Sequence, residues 1–138
     1  MQKRILVVDD DELSRDLLSE MFEVEYDIVE AKNGADALNV LSISLGVVEC
    51  VLLDLMMPTL DGFDFLKEFN DRGWNERVPV IVVSSSDDEE TKQRCRDLGV
   101  NYFIVKPYRH GQVMDILEKA MNEFAERNTI TADSLPRP

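Results

Sequence analysis

Five short aliphatic runs alternate with five segments of helical spacing, and this alternation limits the chain more than any other feature. The runs are Ile5-Leu6-Val7-Val8, Tyr26 to Val29, Cys50 to Leu53, Val78 to Val83 and Asn101 to Val105. Short β-branched runs bounded by polar residues read as buried strands. Between them lie apolar stripes at helical intervals: Leu13, Leu17, Leu18, Met21 and Phe22; then Ala37, Leu38 and Leu41; then a helix from about Phe63 to Asn70. A fourth helix follows Ser86, and Val113, Ile116, Leu117, Ala120, Met121 and Phe124 form the last stripe. The punctuation fits this division. Gly46, Gly73 and Gly99 stand where helices two, three and four should stop. Ser86-Asp87-Asp88-Glu89 has the S-x-x-E form of a capping box, and Asp11 suits the cap of the first helix.

Strict βα alternation implies an α/β fold, a doubly wound five-stranded parallel sheet with helices on both faces. In such a sheet, ligands bind at the carboxyl ends of the strands. Here those ends share a chemical theme. The first strand stops at Asp9-Asp10, the third at Asp54, the fourth at Ser84 and the fifth at Lys106-Pro107. Carboxylates gathered on neighbouring strand ends repel unless a cation sits among them, and hard oxygen ligands of this kind suit Mg²⁺. A lysine is a point charge for phosphate, and a serine hydroxyl can donate to a phosphoryl oxygen.

Charge and composition narrow the partners. A formal net charge of −13 over 138 residues argues against direct nucleic-acid binding and against an anionic membrane surface. The two cysteines, Cys50 and Cys95, form no C-x-x-C pair, and His110 is the one histidine, so a zinc site is not expected. No apolar run approaches a membrane span or a signal peptide. The expectation is a soluble, cytoplasmic, reduced chain.

Four strings taken together resemble the receiver domain of two-component response regulators. They are Ile5-Leu6-Val7-Val8-Asp9-Asp10-Asp11, Leu53-Asp54-Leu55-Met56-Met57-Pro58-Thr59-Leu60-Asp61-Gly62, Val82-Val83-Ser84 and Val105-Lys106-Pro107. They occur in the family's order and spacing across residues 3 to about 124. The resemblance implies the flavodoxin-like strand order 2-1-3-4-5, for which receivers are a standing example. It also implies roles. Asp54 is the phosphorylation site. Asp9, Asp10, Asp54 and the backbone carbonyl of Met56 hold Mg²⁺. Lys106 and Ser84 contact the phosphoryl group, Ser84 and Phe103 form the switch, and the Lys106–Pro107 peptide is cis. Pro58 and Gly62 shape the acceptor loop. The partners implied are a histidine kinase or histidine phosphotransfer protein, a downstream output domain or target protein, and a phosphorylation-dependent homodimer.

The residues alone leave alternatives at several positions. Asp9 is either a direct ligand or an acid behind one, Phe103 either a switch or ordinary strand packing, Lys106 either a site residue or a solvated charge. The resemblance implies that side chains two positions beyond the acceptor and two beyond the switch hydroxyl, here Met56 and Ser86, flank the approach of a hydrolytic water. Neither is suited to orient it, so a persistent phosphoryl group is expected. A competing reading is a receiver-like scaffold that binds a partner without phosphorylation; it should lack part of the acid–lysine set, which is complete here. A phosphohydrolase of the haloacid-dehalogenase type wants an acid where Met56 stands. The chain is therefore not expected to be an enzyme beyond its own phosphotransfer and slow self-dephosphorylation. Residues 1–125 are read as the receiver and 126–138 as a tail or the start of a linker. Met1, close before the first strand, favours a receiver at the N-terminus of its protein, either standing alone or as part of a longer regulator or hybrid kinase.

Overall fold

The computed structural model describes residues 2–55 and 61–134. The elements alternate without exception: β1 (Arg4–Val8), α1 (Glu12–Phe22), β2 (Asp27–Ala31), α2 (Gly34–Ser44), β3 (Val48–Asp54), α3 (Gly62–Asp71), β4 (Val80–Ser84), α4 (Glu89–Asp97), β5 (Tyr102–Val105) and α5 (His110–Ser134). Short 3-10 turns, Leu45–Val47 and Trp74–Glu76, follow α2 and α3. All strand pairings are parallel, in the order β2-β1-β3-β4-β5. The fold is the doubly wound, flavodoxin-like α/β sheet.

Strand parity sorts the core into two layers, because successive side chains on a strand point to opposite faces. Leu6, Val8, Val51, Leu53, Val80 and Val82 pack with Ala37 and Leu41 of α2, Phe65, Leu66 and Phe69 of α3 and Cys95 of α4. Ile5, Val7, Cys50, Leu52, Ile81, Val83 and Ile104 pack with Leu18 and Phe22 of α1 and Val113, Leu117, Ala120 and Met121 of α5. A parallel sheet covered on both faces needs apolar residues at every strand position, which is why the strands read as continuous runs rather than alternations. The two cysteines fall in opposite layers and are both free thiols.

Element boundaries differ from the sequence expectation where local chemistry intervenes. β4 pairs from Val80 rather than Val78, because Pro79 has no N–H to give the ladder; its carbonyl still accepts from the Val51 amide at 3.0 Å. On α1, Leu18 and Phe22 are buried, whereas Leu13 and Leu17 are 67% and 53% exposed. The five expected apolar positions cover about half the helix circumference at 3.6 residues per turn, and the sheet meets only one edge of that arc.

Gly73 and Gly99 take the left-handed conformation expected past a helix end, with φ of 76° and 89°. At Gly99 the full Schellman pattern closes: the Gly99 amide donates to Arg96 O and the Val100 amide to Cys95 O, each at 2.9 Å. Gly46 does not stop α2 in this way. The chain stays right-handed at Leu45 and tightens into the 3-10 turn that contains Gly46. The expected capping box on α4 is also absent. Asp88, not Ser86, is the cap, accepting from the Glu90 and Thr91 amides and from the Thr91 hydroxyl. Ser86 accepts instead from the Asp88 amide, which starts the helix two residues later than the box implied. At the other end, α5 continues to Ser134, beyond the last residue of its apolar stripe and into the segment read as a tail. Residues 128–134 contain no glycine or proline to stop it.

Candidate functional site

The carboxyl ends of β1, β3, β4 and β5 meet at one rim of the sheet because β1, β3, β4 and β5 are consecutive in it. Asp9 follows β1 directly and is 2% exposed, while Asp10, one residue on, is exposed. Asp54 is the last residue of β3, and its side chain is 12% exposed. One carboxylate oxygen from each of Asp9, Asp10 and Asp54 lies within 4.8 Å of the others. Three hard oxygen donors at that spacing, with open solvent on the Asp10 side, suit Mg²⁺, which takes one or two carboxylates and keeps several waters.

Lys106 enters from the end of β5. Its Nζ stands 3.5 Å from Asp54 Oδ2 and 3.6 Å from Asp9 Oδ2. The Lys106 amide donates to Ser84 O at 2.8 Å, which ties the ends of β4 and β5 together. The Lys106–Pro107 peptide is cis.

Burial and charge oppose each other at this rim. Burial raises the Asp9 carboxyl above the usual carboxylate range, and the neighbouring Asp54 adds to the rise; the Asp11 amide, donating to Asp9 Oδ1 at 2.9 Å, and the Lys106 charge resist it. Burial also works against the Lys106 ammonium, but Asp54 and Asp9 outweigh it and hold the lysine above its ordinary value. A buried acid whose charge is disfavoured until a cation arrives is the expected state of a metal-binding carboxylate.

Ser84 closes the fourth side. It is 5% exposed, and its Oγ accepts from the Ser86 amide at 3.1 Å. Accepting that bond does not use the hydroxyl proton. Phe103 sits on β5 opposite Val82 of β4, and Ser84 pairs with Val105 in the same register. Phe103 packs against the layer containing α2, α3 and α4. By parity Ser84 and Phe103 address that layer, while Asp9, Asp54 and Lys106 share the parity of Val7, Leu52 and Ile104 in the other.

Gly62, at the first position of α3, lies against the chain at the end of β3. Its amide donates to Leu55 O at 3.0 Å, and a Cβ there would meet Leu55 Cα at 2.6 Å. Met56 and Pro58, the other residues assigned to this loop, lie outside the described residues. Asp11 caps α1 through the Ser14 amide and hydroxyl.

Two residues near the rim were not anticipated. Arg15 of α1 donates from Nη1 to Asp9 O at 2.8 Å and pairs through Nε with Glu30 of β2 at 3.3 Å. It braces the backbone that presents the acid pair. The clue was positional, since Arg15 lies one helical turn beyond the Asp11 cap, on the side facing β2. Tyr108 follows the cis proline, and its phenol is pushed above its usual range by burial, with Lys106 and Asp9 close enough to act on it.

Comparison with known proteins agrees with this arrangement. The family described as response regulator receiver domain matches residues 5–118. The chain is 30% identical over 122 residues to the chemotaxis protein CheY of Halobacterium salinarum, covering 88% of this chain and 98% of that protein. It is 35% identical over 124 residues to the sensor histidine kinase RcsC of Salmonella typhimurium, covering 89% of this chain but only 12% of the kinase. Among solved structures, the signal receiver domain of a putative LuxO repressor protein from Vibrio parahaemolyticus superposes with a TM-score of 0.84 at 20% identity, covering 94% of this chain and 98% of that one. The CheX–CheY–BeF3–Mg²⁺ complex from Borrelia burgdorferi gives 0.76 at 26% identity, covering 84% of this chain and 87% of the other. With the acid cluster, the lysine and the serine on one rim of a 2-1-3-4-5 sheet, and with this match over most of its length, the chain belongs to the response regulator receiver domain family of two-component signalling.

Proposed function

We propose that the chain accepts a phosphoryl group on Asp54 from the phosphohistidine of a histidine kinase or histidine phosphotransfer protein, and that this changes the surface formed by α4, β5 and α5. The observation that carries the reading is the placement of Lys106 Nζ between Asp54 and Asp9, beside a third carboxylate from Asp10. Mg²⁺, held by Asp9, Asp10, Asp54 and the Met56 carbonyl, would neutralise the charge of the transferring phosphoryl oxygens.

The chain's own groups do the rest. An Asp54 carboxylate oxygen attacks phosphorus in line, the P–N bond to the donor imidazole breaks, and the histidine leaves with that electron pair. Lys106 holds a phosphoryl oxygen by charge. Ser84 turns its O–H toward another. Its displacement opens space on the side of the sheet that Phe103 shares, and Phe103 turns inward. The result is a population shift driven by a local charge event. Such a protein is a signalling switch that catalyses its own phosphotransfer and slow hydrolysis. Among the described residues no helix is long and apolar enough to cross a membrane. A cytoplasmic location is part of the proposal and rests on the family's kinase-to-regulator chemistry.

The test is labelling with a small phosphodonor and Mg²⁺. An acid-stable, base-labile acyl phosphate should form on the wild type and be absent from Asp54→Asn. Equal labelling of the variant would reject Asp54 as the acceptor.

A further inference from the structure

α4 has almost no apolar face. Cys95 is its one buried residue, while Arg94 and Arg96 lie in its last turns. Both arginines lie over aromatic rings of neighbouring elements. The Arg94 guanidinium carbon is 3.7 Å from the centroid of the Phe63 ring on α3. That of Arg96 is 5.8 Å from the centroid of the Phe103 ring on β5. Arg96 is also oriented from its own helix: Nη2 pairs with Glu89 Oε1 and Nη1 donates to Gln93 Oε1, each at 3.1 Å.

The two contacts differ in what they hold. Phe63 lies in the first turn of α3, so Arg94 is a fixed anchor for α4. Phe103 is the ring assigned to the switch, and its contact with Arg96 exists only while the ring lies toward α4. A guanidinium within about 6 Å of a ring centroid attracts the ring's negative face. When Phe103 turns toward the space left by Ser84, that attraction is lost without replacement.

We infer that Arg96 is a positioning residue that latches Phe103 in the place toward α4 that it occupies here and sets how much of the unphosphorylated protein already has the switched conformation. This rests on the switch reading of Ser84 and Phe103 given above. By linkage, whatever disfavours the switched state in the absence of phosphoryl must also weaken the hold on a phosphoryl group or its mimic. Removing the guanidinium should therefore tighten binding of the mimic by about 2- to 5-fold, the range for an exposed cation–π contact.

The experiment titrates beryllium fluoride in the presence of Mg²⁺, following the amide resonances of residues 102–105. The proteins are wild type, Arg96→Met, Arg96→Lys, Phe103→Leu and the Arg96→Met, Phe103→Leu double variant. The expected result is half-saturation at about 2- to 5-fold lower fluoride for Arg96→Met, an intermediate value for Arg96→Lys, and no effect of Arg96→Met once Phe103 is Leu. In the free protein, the resonances of Arg96→Met should already lie part of the way toward the saturated positions. An equal effect of Arg96→Met with and without the Phe103 ring, or no effect at all, would overturn the latch while leaving the acceptor site intact. Failure of the wild type to bind the mimic would overturn the acceptor reading itself, and the latch with it. Arg94→Met serves as the control: it should lower the melting temperature without a Phe103-dependent change in half-saturation.

Discussion

Lys106 Nζ meets Asp54 Oδ2 at 3.5 Å across 52 residues of sequence, because the strands that end at these two residues are separated by one strand in the sheet. The distance is long for a charge-assisted hydrogen bond. The ammonium is shared almost equally with Asp9, at 3.6 Å. In the reaction proposed above, a shared cation at that separation leaves room for a phosphoryl oxygen to take up the lysine once Asp54 carries the group.

This sharing sets opposite expectations for two substitutions. Asp9→Asn keeps an oxygen for the Asp11 amide and removes a buried charge, so it should raise stability without metal by about 1 kcal/mol while weakening Mg²⁺ binding. Lys106→Met leaves the acid cluster without its internal counter-ion. It should lower metal-free stability by about 1–2 kcal/mol, with solvent screening taken into account, and recover part of the loss on Mg²⁺ addition. Urea midpoints with and without Mg²⁺ measure both. A Lys106→Met protein indifferent to Mg²⁺ would contradict the charge argument.

Gly62→Ala probes the end of β3, which carries Asp54, from α3. The added methyl would overlap Leu55 Cα, at 2.6 Å, and crowd Asp54 O, at 3.2 Å. Backbone cannot swing aside as a side chain can. The substitution should cost about 1–3 kcal/mol in urea unfolding and slow labelling from a small phosphodonor, since Asp54 is carried on the displaced backbone.

Hydrogen exchange distinguishes the two candidate caps of α4. Asp88→Ala should reduce amide protection through α4, and Ser86→Ala should do so much less. The Thr91 hydroxyl, followed by the Glu90 amide, holds the Asp88 carboxyl below its usual range. The folded value is depressed, so the cap stabilises the protein above the unfolded carboxylate range, near pH 3.9, and its contribution is lost as pH falls through the folded value. The protection difference between wild type and Asp88→Ala should therefore disappear in acid.

Cys50 is wholly buried under α1 and α5, and burial pushes its thiol up to about 12. An unfolded thiol titrates near 8.5. A raised folded value means the contribution is complete below the unfolded value and declines as pH rises toward the folded one. The stability advantage of wild type over Cys50→Ala should accordingly shrink between pH 8 and pH 10, by on the order of 2 kcal/mol. Native protein at pH 8 should also resist alkylation at Cys50, and rapid labelling there would show that the β3 core opens readily.

The lifetime of the proposed phosphoryl group on Asp54 tests the residue two positions past it. Met56 has no strong group to orient a water. Met56→Asn supplies one and should shorten the decay of labelled protein after the donor is removed. Equal decay of the two proteins would remove Met56 from the account.

Much of this was legible in the residues themselves. The five aliphatic runs, each ending at a polar residue, determine the βα alternation, and the burial of both sheet faces keeps those runs continuous. Asp9, Asp10, Asp54, Ser84 and Lys106 could be picked out because strand ends in a parallel sheet face one rim. Gly99 could be placed because the Schellman turn needs a residue that tolerates positive φ. Tertiary structure decided the rest. Which apolar residues of α1 are covered depends on how the helix lies on the sheet, so Leu13 and Leu17 could not be told from Leu18 by spacing. Ser86 and Asp88 both satisfy a cap's chemistry, and only the path of the chain from β4 selects between them. The bracing of Asp9 by Arg15 and the placement of Arg96 over Phe103 join residues whose distance is set by packing between separate elements. Spacing along one helix carries no information about that distance.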